Sequence, residues 1–117
     1  MGLVLWIDQN TFATGLLEKV FKKKNLPFYT LPSASDFVYL VNDLRPELIV
    51  LDTKTAIADL SAFKAQFEGS EFLQSLPFIL IDETPELAFI NKVVGHINRP
   101  FDPFLVPDML KNLLNAN

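Results

Sequence analysis

The sequence predicts an α/β domain built on an open parallel sheet of five strands with helices on both faces. Three observations lead there. The runs Leu3 to Ile7, Leu48 to Leu51 and Phe78 to Ile81 are apolar without alternation, so both faces of each strand should be covered. Between such runs the apolar residues recur at helical spacing. The resulting order, strand then helix repeated five times, calls for right-handed crossovers and helices on either side of the sheet.

The first strand is LVLWI, Leu3 to Ile7. Phe12, Leu16 and Val20, with Phe21 beside them, mark the first helix, and Glu18, Lys19, Lys22 and Lys23 lie around its other side. The second strand is Phe28 to Leu31. Phe37, Leu40, Val41 and Leu44 mark the second helix, with Ser33 or Ser35 suited to its N-cap and Pro46 stopping it. Leu48 to Leu51 is the third strand. Leu60, Phe63 and Phe67 follow as a third helix running toward Gly69. After the fourth strand, Phe78 to Ile81, the segment from Pro85 to about Val94 reads as a short fourth helix with Pro85 in its first turn. A short fifth strand, His96 to Asn98, precedes a last helix that begins near Pro107 and carries Leu110, Leu113 and Leu114.

Composition narrows the function. The chain of 117 residues is 50% hydrophobic and 21% charged, as expected of one folded domain spanning 1–117. It has no cysteine, which removes disulfides, thiolate metal sites and cysteine nucleophiles. A net charge of -4 is the wrong sign for a nucleic-acid surface. No apolar run approaches the roughly 20 residues that cross a bilayer, and MGLVLWIDQN lacks the basic start of a signal peptide. A cytoplasmic location, with neither nucleic acid nor membrane as partner, is the expectation. The sequence does not specify an oligomeric state.

In such sheets ligands gather at the carboxyl ends of the strands. Those ends carry Asp8 and Gln9, then Asp52, then Asp82, then Arg99 and Pro100, so three carboxylates and one guanidinium converge on one edge. Lone His96 has no second histidine to make a metal cluster and reads as structural. The run Lys22, Lys23 and Lys24 reads as the solvated end of the first helix. Most of the eleven phenylalanines fall on core stripes. Phe101 and Phe104, near Pro100, Pro103 and Pro107, stand apart as a candidate contact patch.

The runs VLWIDQN, RPELIVLDTK and NRPFDP, with the joint spacing of Asp8, Asp52 and Asp82, resemble the landmarks of the receiver domain of two-component response regulators. The resemblance implies a flavodoxin-like (βα)5 fold with strand order 2-1-3-4-5. It places Asp52 at the phosphoacceptor position, filled in the family by transfer from a histidine kinase. Asp8 falls on the first of two acids that hold Mg2+ together with Asp52, and Gln9 on the second. Asp82 occupies the position of a Ser or Thr, Arg99 that of a Lys before proline, and His96 that of the aromatic switch residue. The family's matching bond is usually cis, so a cis Arg99–Pro100 peptide is expected, aiming Arg99 over the acids.

The departures are chemical. Gln9 offers a carbonyl oxygen without charge, which weakens any Mg2+ site. Asp82 puts a negative charge where a phosphoryl oxygen would sit. Two unit charges about 5 Å apart interact by about 3 kcal/mol at an effective dielectric of roughly 20. Arg99 is able to bridge Asp52 and Asp82 in place of phosphate. The loop TKTAIADL after Asp52 lacks the usual Pro and Gly, and the stretch from Asp82 to Arg99 is several residues short. The reading is an atypical, non-enzymatic receiver signalling through protein contacts with a histidine kinase or another signalling protein. A phosphorylation-independent pseudo-receiver is the first alternative. A small flavin or nucleotide binder is the second, although DQNTFATG holds one glycine and no phosphate loop. A haloacid-type hydrolase would want Asp-x-Asp where Asp8-Gln9-Asn10 stands.

Overall fold

The computed structural model describes residues 1–116. Five strands, β1 (Val4–Ile7), β2 (Phe28–Leu31), β3 (Leu48–Asp52), β4 (Phe78–Ile81) and β5 (Val93–Ile97), form one sheet in the order β2-β1-β3-β4-β5. Every pairing is parallel. The three central strands are buried along their whole length, which is why their sequences do not alternate. Edge strand β2 is partly exposed, with Tyr29 outward.

Side-chain alternation along the strands sends two sets of residues to two cores. Val4, Trp6, Leu48, Val50, Ile79 and Ile81 pack under α1 (Thr11–Lys23) and α6 (Val106–Asn115), where they meet Leu17, Phe21, Val106 and Leu110. Leu5, Ile7, Ile49, Leu51, Phe78 and Leu80 face α2 (Val38–Leu44), α3 (Thr53–Ala58), α4 (Leu60–Glu68) and α5 (Glu71–Ser75), with Phe37, Phe63 and Phe67 at the centre. Phe37 stacks on Phe63 at 5.5 Å, and Phe67 meets the edge of Phe78 at 5.9 Å.

Four local expectations are corrected. The predicted helix from Pro85 to Val94 is a single 3-10 turn, Pro85–Leu87, and β5 starts at Val93 rather than His96. The eleven residues 82–92 between β4 and β5 must turn at both ends and also span the height of the sheet. A helix advances only about 1.5 Å per residue, against roughly 3.3 Å for a strand. The chain therefore makes i→i−3 bonds, Leu87 N–H to Thr84 and Ile90 N–H to Leu87, and still buries Leu87 and Ile90. Second, the TKTAIADL segment is no loop: α3 begins directly after Asp52. Third, neither Ser33 nor Ser35 caps α2. Gln66 of α4 reaches across instead, its Oε1 accepting from the N–H of Phe37 (2.7 Å) and Val38 (3.0 Å). Ser33 accepts from the Ser35 N–H and donates to Asp59. Fourth, the predicted contact patch is only partly open: Phe104 is exposed, but Phe101 leans on Trp6 at 6.1 Å and Pro107 is buried. As expected, Pro46 follows the last turn of α2, which Arg45 closes in the left-handed region, and α6 begins within one residue of Pro107.

Candidate functional site

Strand register builds the site. Ile7 pairs with Leu51, so Asp8 and Asp52 emerge side by side from the two innermost strands. Asp52 pairs with Ile81, which puts Asp82 one step further along, and the Asp82 N–H donates to the Ile97 carbonyl. Arg99 follows two residues after the end of β5, and its bond to Pro100 is cis. Asp8 and Asp52 are each 2% exposed, whereas Asp82 is only half-buried.

The Arg99 guanidinium lies among all three acids. Its Nη2 is 2.8 Å from Asp52 Oδ1 and 3.4 Å from Asp8 Oδ2, and its Nη1 donates to Asp82 Oδ2 at 2.9 Å. The Arg99 backbone N–H donates to the other Asp82 oxygen at 3.2 Å. The contact to Asp52 Oδ1 is a charge pair rather than a well-aligned hydrogen bond, and that oxygen is otherwise unpartnered. Asp52 Oδ2 is held at the start of α3, accepting from the Thr55 N–H (3.1 Å) and hydroxyl (2.7 Å). Asp8 Oδ1 accepts from the Asn10 N–H, and Asp8 Oδ2 also faces the Trp6 indole N–H at 3.4 Å. Every oxygen of the two buried carboxylates thus already faces a protein donor or cation.

Charge follows from this arrangement. Burial pushes the Asp8 carboxyl above its ordinary range; the Asn10 N–H opposes that rise and the Asp52 charge adds to it. The Arg99 backbone N–H holds Asp82 low, helped by the guanidinium. Burial works against the charged form of Arg99, but the carboxylates of Asp52, Asp82 and Asp8 outweigh it and raise its pKa. Asp82 sits at φ 64, a left-handed conformation that costs a non-glycine residue about 1 kcal/mol and that aspartate tolerates better than most.

Asp8, Asp52, Asp82 and Arg99 are therefore brought together. Two other sequence candidates are not. Gln9 is exposed, and its backbone N–H donates to the Thr55 hydroxyl. His96 is exposed and lies 3.8 Å from Glu83 on the rim. The site's own missing member is Thr55. Asp followed three residues later by Thr, just after a strand, is a helix N-cap pattern that would have pointed to it. The residues do not fit Mg2+ as arranged. The acids close on a guanidinium, Gln9 turns outward, and among the described residues no group of three His, Cys, Asp or Glu side chains is set to hold a metal.

The fold is shared with solved proteins along the full chain. A response regulator from Desulfuromonas acetoxidans superposes with a TM-score of 0.78 at 15% identity, covering 99% of this chain and 98% of that one. The chemotaxis protein CheY4 of Vibrio cholerae gives 0.76 at 16% identity, over 97% of this chain and 98% of that one. A receiver-modulated diguanylate cyclase from Pelobacter carbinolicus gives 0.70 at 15% identity, over 99% and 94%. The chain has the receiver fold. No protein-family model and no curated protein matches the sequence. Identity this low carries the receiver architecture and leaves the chemistry of its acidic edge to the residues themselves.

Proposed function

We propose that the domain is an atypical receiver that signals through protein contacts, with its acid cluster bridged and partly neutralised from within by Arg99. Asp52 keeps the phosphoacceptor position, but the reading gives it little acceptor activity. The observation that carries this is the placement of Arg99 Nη2 at 2.8 Å from Asp52 Oδ1 while Nη1 holds Asp82. For Asp52 to accept a phosphoryl group, one carboxylate oxygen must attack phosphorus as the donor's leaving group departs. Oδ2 is committed to Thr55, and Oδ1 faces the guanidinium. Asp82 would repel the incoming group, because a dianionic phosphoryl beside a carboxylate at about 5 Å adds several kcal/mol at an effective dielectric of roughly 20. Weak Mg2+ binding belongs to the same reading, since Gln9 supplies no charge. The partner is a signalling protein, and a histidine kinase that transfers phosphate to Asp52 is the competing case.

The test is intact mass after treatment with acetyl phosphate and Mg2+, on the wild type and on Gln9→Asp with Asp82→Thr. The expected result is labelling of the double variant and little labelling of the wild type. Equal, full labelling of both would make this an ordinary phosphoacceptor.

A further inference from the structure

The sheet ends at β2, and nothing pairs with its outer side among the described residues. Parallel register decides which backbone groups face outward. The Val4 N–H donates to the Pro27 carbonyl and the Asp8 N–H to the Leu31 carbonyl, so Pro27, Tyr29 and Leu31 turn toward β1. Phe28 and Thr30 therefore turn both N–H and C=O away from the sheet. Proteins commonly blunt such an edge with charge, proline or a bulge. The strand FYTL has none of these, and its pairing with β1 is regular. The opposite edge differs, because β5 joins β4 with a register shift.

An open groove of about 760 Å³ lies along β2, with Glu18 and Lys22 of α1 in its wall. Glu18 Oε1 accepts from the Thr30 hydroxyl at 3.0 Å, which places it beside Thr30. α1 runs back antiparallel to the strands, so Lys22, one helical turn on, lies toward the Phe28 end of the same groove. Both side chains are exposed.

We infer that β2 pairs antiparallel with β2 of a second copy of this chain, about a two-fold axis through Tyr29, joining two five-stranded sheets into one. Hydrogen bonding permits the pairing and charge selects the partner. About that axis Phe28 of one copy faces Thr30 of the other, and each such pair exchanges two N–H to C=O bonds, which uses every outward backbone group of both residues. Tyr29, 42% exposed, meets its own counterpart between those pairs as a cross-strand aromatic pair. Glu18 and Lys22 are about 6 Å apart along the helix, and Thr30 and Phe28 about 6.6 Å apart along the strand, so the two spacings nearly match. The same axis consequently sets Glu18 of each copy against Lys22 of the other. A strand from an unrelated protein would satisfy the hydrogen bonds but not this reciprocal charge pattern. The inference goes beyond the receiver reading and makes no use of Asp52.

The experiment is sedimentation velocity of the full chain from micromolar to millimolar concentration, with amide hydrogen exchange at both ends of the range. A four-residue edge makes a weak contact, so dimer should appear as concentration rises. The Phe28 and Thr30 amides should exchange more slowly in the concentrated sample. Lys22→Glu and Glu18→Lys should each weaken association by about tenfold, since each sets like charges together at both symmetry-related contacts. Glu18→Lys combined with Lys22→Glu should restore association to within about twofold, because the reversed pattern is again complementary. Thr30→Pro removes an outward N–H that β1 does not use, so it should keep the fold and abolish the dimer. Thermal melts of every variant check the fold. A wild type that stays monomeric throughout would overturn the inference. So would a double variant as weak as the single ones, a dimer that survives Thr30→Pro, or slowed exchange confined to another face. None of these readouts involves acetyl phosphate, so failure here and failure of the receiver reading are separable.

Discussion

Arg99→Ala removes the cation at the centre of the acid cluster and leaves Asp8 and Asp52, each 2% exposed, facing each other. At an effective dielectric of roughly 20 a unit-charge pair about 3 Å apart gains between 5 and 6 kcal/mol, so the gross loss is large. Most of it is offset, because the freed guanidinium no longer has to be desolvated and water enters where it sat. Removing one partner of a buried pair costs about 3–5 kcal/mol net. The Arg99 side chain is 34% exposed, so the low end, about 3 kcal/mol, is expected. At about 4 °C per kcal/mol for a domain of this size, the melting temperature should fall by about 12 °C.

The same variant separates a cation site from a merely polar cluster. With the guanidinium gone, two buried carboxylates stand open to an added cation, and Mg2+ at ten times its dissociation constant would return about 1.4 kcal/mol. The wild type, whose acids already face Arg99, should gain almost nothing. The assay is thermal unfolding followed by fluorescence of Trp6, whose indole N–H faces Asp8, in chelator and in millimolar Mg2+. A variant that melts within a degree or two of the wild type would refute the argument that Arg99 neutralises buried charge. Equal stabilisation of both proteins by Mg2+ would refute the argument that Arg99 occupies the cation's place.

Val50→Asp puts an unpaired carboxylate at a fully buried position of a central strand, and loss of cooperative folding is expected by circular dichroism. Thr55→Val removes the hydroxyl donor to Asp52 Oδ2 but keeps the backbone N–H, so a loss of about 1–2 kcal/mol in urea titration is expected. The pH profile combines two opposite contributions. Asp8 has a raised folded pKa, so its share of stability is greatest at low pH and is lost as pH rises from its ordinary value of 3.8 through the raised one. Asp82 has a lowered folded pKa, so its share is present above 3.8 and is lost as pH falls below it. Asp8→Asn should therefore abolish the decline on the high side of 3.8 while leaving the acid-side loss, as read from melts between pH 3 and 6. An unchanged high-side slope would mean that Asp8 is not the group responsible.

Sequence legibility followed the range of the forces involved. Central strands announce themselves because burial on both faces leaves no room for polar residues, so LVLWI, LIVL and FILI could be placed without alternation. Asp8, Asp52 and Asp82 were legible for a related reason: each is the first polar residue after such a run, and parallel register carries all of them to one edge. The segment after Asp82 was misread because Leu87 and Ile90, three apart, satisfy a 3-10 turn as well as an α-helix. Only the distance the chain must cover before β5 decides between them, and periodicity does not contain that distance. The cap of α2 was hidden for a different reason. Gln66 comes from another helix, and a donor–acceptor pair between elements leaves no local pattern at Ser33 or Ser35.

Arg99 stands between these cases. Its position before Pro100 and its match to two-pronged carboxylate binding made a bridge from Asp52 to Asp82 readable, but not that Asp8 would join it. A guanidinium has five N–H donors in a fixed plane, and this one directs Nη1 toward Asp82 and Nη2 toward Asp52 and Asp8. An ammonium is a point charge and would favour one acid at a time. Arg99→Lys therefore keeps the charge but loses the plane, and it should stabilise less than arginine and more than alanine. If lysine matched arginine in the melts, the net charge alone would hold the cluster and the planar fork would be incidental. If lysine were no better than alanine, geometry would dominate charge. The intermediate result is the one that the three simultaneous contacts of Arg99 require.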